Sequence, residues 1–308
     1  MKPNQLRTFL AVVEQQSIRG AARLLSVSQP AVTNAMRELE ADLGVVLLER
    51  SVSGVRLTPY GQAFEPRARF LLSEMRRTRE ELDEIREGNV GRVSLAASTS
   101  VALTLLPSAF REFRSLSPGI DVRLSEASLP TSLAKLRDGS VDIIVSQMME
   151  PSQSEFHITP LYSSPLVVAV RSGHSLARSR SLRELSDAEW LLPYDRETAP
   201  HLLELLFAAQ GATLPKRIVQ CTSTAMGLRL VGTQDLIGVF LETLAQTEFK
   251  HYGIKRLKLR EPLQALVICI ITRRDSQLTP AAQRFFDCIR RQALLAPVSS
   301  PDAASLVS

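Results

Sequence analysis

The sequence is poor in the residues that several functions would need. It has one Trp and four Tyr in 308 residues, too few for an aromatic surface that stacks single-stranded bases. Its three cysteines, Cys221, Cys269 and Cys288, form no CxxC pair and are odd in number, which argues against a disulfide framework and suits a reducing cytoplasm. The longest apolar run, residues 265–271, is far short of the roughly 20 residues a membrane span requires. Gln5, Arg7 and Glu14 interrupt the apolar residues at the start, so no signal-peptide core forms there. No GxSxG, GxxxxGK[ST] or HExxH string occurs, and His157, His174, His201 and His251 lack ligand spacing. Hydrolase, nucleotide-phosphate and zinc-peptidase chemistry therefore have no foothold, and no metal or cofactor is expected.

Charge is modest too. The formal net charge is +5, enough to permit a polyanionic partner and too little to demand one. Residues 1–90 hold 13 Lys/Arg against 12 Asp/Glu, so most of the excess lies further along the chain. Bulk charge does not locate a nucleic-acid site; motif geometry has to.

That geometry begins at once. Leu6, Phe9, Leu10 and Val13 follow the spacing of a helix with one buried face. Ser17 can cap a second helix carrying Ile18, Ala21, Ala22 and Leu25, and after a turn at Ser26-Val27, Ser28 can cap a third. On the third helix Val32, Ala35 and Leu39 fall on one side, with Gln29, Thr33, Asn34 and Arg37 on the other. Pro30 stands in the first turn, where a missing N–H removes no helical bond. This is the pattern of a helix-turn-helix; a small helical domain with a solvated polar face shares it. Residues 46–49 and 55–58 read as the strands of a hairpin, or wing, with Arg50 and Arg56 flanking its tip.

A longer helix is predicted from Pro59 to Gly88. Phe64, Ala68, Leu71, Met75, Thr78, Leu82 and Ile85 step by 4-3-4-3-4-3, a heptad seam suited to another helix, either in the same chain or in a second copy. Beyond residues 88–91 short strands alternate with helices. Strands are expected at residues 92–97, 120–126, 141–146, 165–170, 217–221, 237–241 and 266–272; helices are expected at 100–114, 131–138, 199–210, 223–231 and 280–293. Alternation of this kind predicts an α/β region with mostly parallel sheets, about 200 residues long and divisible into two lobes. The chain thus divides into a helix-turn-helix head (1–58), a linker and dimerisation helix (59–89), a two-lobed α/β region (90–296) and a Ser/Ala/Pro-rich, disordered tail (297–308).

The segment SIRGAARLLSVSQPAVTNAMRELEADLGVVLLERSVSGVRLT, starting at Ser17, resembles the signature of LysR-type transcriptional regulators. The resemblance extends in layout to about residue 293, with LRDGSVD (136–142) and His174-Ser175-Leu176 as further landmarks. It implies a winged helix-turn-helix that binds double-stranded DNA in the major groove. It also implies pairing through the long helix, often as a dimer of dimers, and a C-terminal region like a type 2 periplasmic binding protein, with a small effector between its lobes. The chain departs from that family at Thr33-Asn34, where Ser-Arg is frequent, and at Ser51 and Ser53, where the wing is often basic. A further departure covers Asp235-Leu236-Ile237-Gly238 and Glu242 in the second lobe.

On this reading Gln29 and Asn34 are suited to adenine edges, while Pro30 and the Thr33 methyl are suited to thymine. Ser28, Arg37, Arg50, Arg56 and Thr58 would hold phosphates and fix the register. Ser98, Thr99 and Ser100 join a strand to a helix, where hydroxyls and free N–H groups suit an anion. Ser128, Thr131, Gln147, Thr198, Thr222 and Ser223 recur at similar ends, as the rule for ligands at carboxyl ends of parallel strands requires. Each of these hydroxyls is also an ordinary helix cap. The expected ligand is a small organic anion. Arg196 and His201 either add positive charge there or are solvated surface residues, and Cys221, at a strand end beside the cleft, is either a redox-sensitive thiol or a small buried residue. A regulator that needs no ligand, or an enzyme fused to a DNA-binding head, are the alternatives; saturable binding without turnover separates them.

Overall fold

Serines do begin two of the first three helices. In the computed structural model, which describes residues 1–51, 54–88, 90–148, 155–192, 206–207, 214–274 and 276–295, α1 spans Pro3–Gln15, α2 Ile18–Leu24 and α3 Gln29–Leu43. The Ser17 hydroxyl accepts from the Gly20 N–H at 3.2 Å and the Ser28 hydroxyl from the Ala31 N–H at 3.3 Å, so each satisfies a donor the helix start leaves orphaned. Between them Ser26 takes a left-handed φ of 56°. α3 ends at Gly44, also left-handed (φ 70°). Its buried side is Val32, Met36 and Leu39; Met36 takes the place expected for Ala35, which is only half-buried.

The wing pairs β1 (Leu48–Ser51) with β2 (Gly54–Leu57). Glu40 of α3 accepts from the N–H groups of Leu47 and Leu48, and Val55 donates to the Gln16 carbonyl, so both ends of the hairpin are tied to the helices. The long helix α4 runs over Pro59–Glu87. Its first half completes the head: Ala68 is fully buried, Phe64 and Leu71 pack on the same core, and the Phe9 and Phe64 rings lie 5.2 Å apart.

The second half of α4 does something the heptad pattern does not announce. Ser73, Arg77 and Glu84, off the seam, are buried against the α/β region. Ser73 donates to the Gly139 carbonyl at 2.6 Å, and Arg77 forms an ion pair with Asp142. The other Asp142 oxygen accepts from the Ser94 N–H and hydroxyl at 2.7 Å. Glu74 reaches Arg273 and Ser276, and Glu84 reaches Arg284 and the Ala281 N–H. Meanwhile Met75, Leu82 and Ile85 of the seam are exposed (51%, 62% and 74%).

The α/β region comprises β3 (Arg92–Ala97), α5 (Thr99–Leu103), α6 (Leu106–Leu116), β4 (Asp121–Glu126), α7 (Leu129–Arg137), β5 (Ile143–Met148), β6 (Phe156–Arg171), β7 (Glu189–Leu192) and β8 (Arg217–Gln220). It continues with α8 (Thr224–Thr233), β9 (Ile237–Leu241), α9 (Glu242–Thr247), α10 (Phe249–Tyr252), β10 (Ile254–Arg256), β11 (Ala265–Arg273) and α11 (Pro280–Leu294). Among the described residues the strands run in the order β4-β3-β5-β11-β6-β9-β7-β8, with β10 on β6.

The sheet is mixed rather than mostly parallel. β3 pairs in parallel with β4 and β5, and β7 with β8 and β9, while β11 and β6 run antiparallel to their neighbours. Each lobe is a parallel unit, β4-β3-β5 or β9-β7-β8, and β6 and β11 cross between them. The expected strand at 165–170 is the far half of the 16-residue β6. The expected helix at 100–114 is two helices, because the chain turns at Thr104 and Leu105 ahead of Pro107. The helix expected at 199–210 and the tail at 297–308 lie outside the described residues.

Candidate DNA-binding face and ligand cleft

Once Val32, Met36 and Leu39 anchor α3 in the head, its opposite face has to be solvated. Gln29, Pro30, Asn34 and Arg37 are exposed, and Thr33 is half-buried. Gln29 and Pro30 sit in the first turn, where the unpaired N–H groups and the macrodipole favour anions, and Thr33, Asn34 and Arg37 follow in the next two turns. The Thr33 hydroxyl donates to the Gln29 carbonyl at 3.0 Å, which commits its proton to the helix backbone. Ser28 accepts as a cap and keeps its own proton free to donate. On the wing, Arg56 is exposed and stands across the ladder from Glu49; the side chain of Arg50 lies outside the described residues.

Thr58 departs from the expectation that it holds a phosphate. It is 5% exposed; its hydroxyl donates to the Val46 carbonyl at 2.7 Å and accepts from the Gly61 N–H at 3.0 Å. It caps α4 and ties it to the wing.

In the first lobe three of the expected cleft residues come together. Ser98 and Ser100 are both buried, with their hydroxyl oxygens 3.2 Å apart, and Ser100 donates to Gln147 Oε1 at 3.1 Å. The carboxyl ends of β3 and β5 bring them there, since Ser98 follows β3 directly and its N–H binds the Val145 carbonyl. α5, which carries Ser100, packs on α8 and α9 of the second lobe, and Leu103 joins that lobe's core.

The other expected positions divide differently. Thr99 donates to Glu126 at 2.5 Å and is committed to that carboxylate. Ser128 and Thr131 are exposed and bond to each other at 3.0 Å. Ser223 caps α8 through the Met226 N–H, and Thr222 beside it is exposed. Thr198, Arg196 and His201 lie outside the described residues. Cys221 is buried, its thiol against the Ser223 carbonyl.

Sequence reasoning missed the polar groups on the crossing strand. Ser164 of β6 is fully buried and lies 3.4 Å from the Thr243 N–H. Tyr162 is buried beside the Thr104 hydroxyl, and burial pushes its phenol up to about 12. The signal was Tyr162-Ser163-Ser164, polar residues inside an otherwise apolar strand.

A groove of about 700 Å³ opens elsewhere, between α1, the exposed side of α4 and the first lobe, lined among others by Arg7, Met75, Arg79 and Arg123. It abuts the uncovered seam rather than the Ser98 cluster. Among the described residues no group of three or more His, Cys, Asp or Glu side chains is placed to hold a metal, and no helix is long and apolar enough to cross a membrane.

Two family models match the chain: a bacterial regulatory helix-turn-helix protein of the lysR family over residues 3–62 and a LysR substrate binding domain over residues 86–294. The transcriptional regulator YbhD of Escherichia coli (strain K12) is 30% identical over 293 residues, covering 92% of this chain and 89% of its own length. PcaQ of Agrobacterium fabrum, another regulator, is 31% identical over 246 residues, covering 79% of each. Among solved structures, CbnR, a LysR family transcriptional regulator, superposes with a TM-score of 0.71 at 27% identity, covering 95% of this chain and 99% of that one. Full-length CbnR complexed with its target DNA gives 0.68 at the same identity, covering 95% and 100%.

Proposed function

Because this chain belongs to the LysR family of DNA-binding transcriptional regulators, with a substrate-binding region in place of any catalytic one, we propose that a small organic anion between the two lobes governs how its head engages DNA. The cluster of Ser98, Ser100 and Gln147 carries the reading. It places two hydroxyls and an amide at the carboxyl ends of two parallel strands, which is where ligands sit in open α/β sheets, beside a helix that packs on the other lobe; the Gln147 amide N–H groups are the uncharged donors its internal bonds leave available. A carboxylate or sulfonate is the ligand class these donors suit.

Closure of the lobes on such a ligand turns on β6 and β11. Since α4 is bolted to the first lobe, a change of lobe angle reaches the head and the bend of its DNA. Gln29, Asn34, Pro30 and Thr33 read bases, while Ser28, Arg37 and Arg56 hold phosphates. The exposed Met75, Leu82 and Ile85 seam and the adjacent groove support pairing of α4 with a second copy, and of such dimers into a tetramer. A regulator of bacterial promoters works in the cytoplasm.

The test is a footprint on the DNA upstream of the chain's own gene, with and without a panel of organic acids. The expected result is a long, interrupted protection that shortens or shifts with one acid, and a response lost in Ser100→Ala/Gln147→Leu while the unliganded footprint stays. A footprint indifferent to every acid counts against the anion, and a liganded response intact in the double variant moves the site elsewhere.

A further inference from the structure

The head of this DNA-binding chain is nearly neutral, and the excess positive charge sits elsewhere. Residues 171–184 and 250–261 together hold nine Lys/Arg against two Asp/Glu, a balance of +7 in a chain whose total is +5. The fold lays these two segments side by side. β10 pairs with the end of β6, the Arg260 N–H binds the Arg180 carbonyl at 2.9 Å, and Ser172 binds the Gly253 carbonyl. The apolar residues between the cations, Ile254 and Leu257, are buried, which turns Lys255, Lys258 and Arg260 outward beside Arg178, Arg180 and Arg183, all six exposed.

Carboxylates do not quench them. Glu261 is taken by the Ser181 hydroxyl and the Leu182 N–H, Glu184 accepts from the Arg180 backbone, and Glu242 and Asp235 pair with Arg256 and Arg171. The six exposed cations make no ion pair among the described residues.

We propose that this basic rim of the second lobe is a second DNA contact, gripping the phosphate backbone of the duplex that the head has engaged. Like charges are placed together at a cost in self-repulsion, and a polyanion relieves it. DNA is the polyanion this chain already holds, so once the head is bound the rim meets duplex at a high effective concentration. Six exposed cations, one on β10 and five on the turns and loops beside it, suit a contact that neutralises phosphates without reading bases.

The experiment uses the full-length protein and a 60-bp duplex carrying its footprinted site. It compares the wild type with Lys255→Gln/Lys258→Gln/Arg260→Gln and with the head variant Gln29→Ala/Thr33→Ala. Thermal melting checks that the exposed rim substitutions leave the fold intact. The rim variant is expected to lower affinity alike for specific and scrambled duplexes, and to flatten the slope of log K against log salt by about 0.9 for each phosphate it no longer neutralises. Site preference should survive. The head variant should do the reverse and lose preference while keeping the rim's share of the slope, so failure of one reading is distinguishable from failure of the other. An unchanged slope in the rim variant overturns the proposal. Loss of binding to polyglutamate with DNA binding untouched also overturns it, and assigns the rim to an acidic protein.

Discussion

Gly139 shows how much a single position carries. It sits at φ +75°, and a Cβ there would fall 2.4 Å from the Ser73 hydroxyl oxygen, the same group that binds its carbonyl. Gly139→Ala is therefore strained twice, by backbone and by clash, and should destabilise by more than the ~1 kcal/mol that a compatible Gly→Ala exchange gains. Urea denaturation measures it, and adding Ser73→Gly should restore part of the loss.

Three residues on, Asp142 is buried. Burial works to raise its carboxyl, but Arg77 and the two Ser94 bonds outweigh that and hold it below the usual carboxylate range. Its contribution to stability is thus complete above the unfolded value, roughly 3.9, and disappears as pH falls through the lower folded value. Asp142→Asn should flatten the acid limb of Tm against pH. Breaking the pair by Arg77→Met should cost about 3–5 kcal/mol, because a buried carboxylate is left alone; Arg77→Met/Asp142→Leu should cost less than the sum of its parts.

At the scale of elements, α4 has two faces with two fates. Its heptad seam is uncovered beyond Leu71, so Leu82→Lys/Ile85→Lys should move the protein to smaller species in analytical ultracentrifugation without lowering its Tm at low concentration. An unchanged sedimentation profile would mean that the seam serves no partner. The seam was legible in the sequence because seven residues in one helix declare it. The clamping face was not, because its partners are remote: Arg77 meets Asp142 65 residues on, and Glu84 meets Arg284 200 residues on.

Locality sorts the other elements in the same way. The caps at Ser17 and Ser28 are written within four residues of their helices. Only half of β6 is legible in the sequence, because Pro160, Ser163, Ser164 and Pro165 have the composition of a loop. Among the described residues their strand partner is β11, whose register itself shifts between Ile268 and Cys269. Ser98, Ser100 and Gln147 of the cleft are recognisable as strand ends, whereas Thr58 in the head and Thr99 in the cleft depart from their expected roles because only the packed structure shows what their hydroxyls already bind.

The whole molecule holds separate apolar cores. The head's, around Phe9 and Leu39, shares no residue with those of the lobes. The chain's one Trp, Trp190, is fully buried in the second lobe, its ring nitrogen on the Leu185 carbonyl. Fluorescence therefore reports that lobe and is blind to the head. Phe9→Ala, at about 3–5 kcal/mol for a buried Phe, should add an early phase to far-UV circular dichroism and leave the Trp190 midpoint unmoved. A shift of both together would mean that α4 couples head and lobes into one cooperative unit.

The order in which the strands are laid down has its own effect during synthesis. β11 lies between β5 and β6 in the sheet, yet it leaves the ribosome more than a hundred residues after β5, behind the entire second lobe. Since a domain that emerges whole generally folds as a unit, the second lobe is expected to fold first while the first lobe waits with a gap in its sheet. Arg273, which ends β11, and Ser276 and Arg284 behind it also hold α4. A chain that stops before β11 thus carries a helix-turn-helix whose linker has only its Gly139 and Asp142 partners, on an unfinished sheet, and lacks the fastenings at Arg273, Ser276 and Arg284.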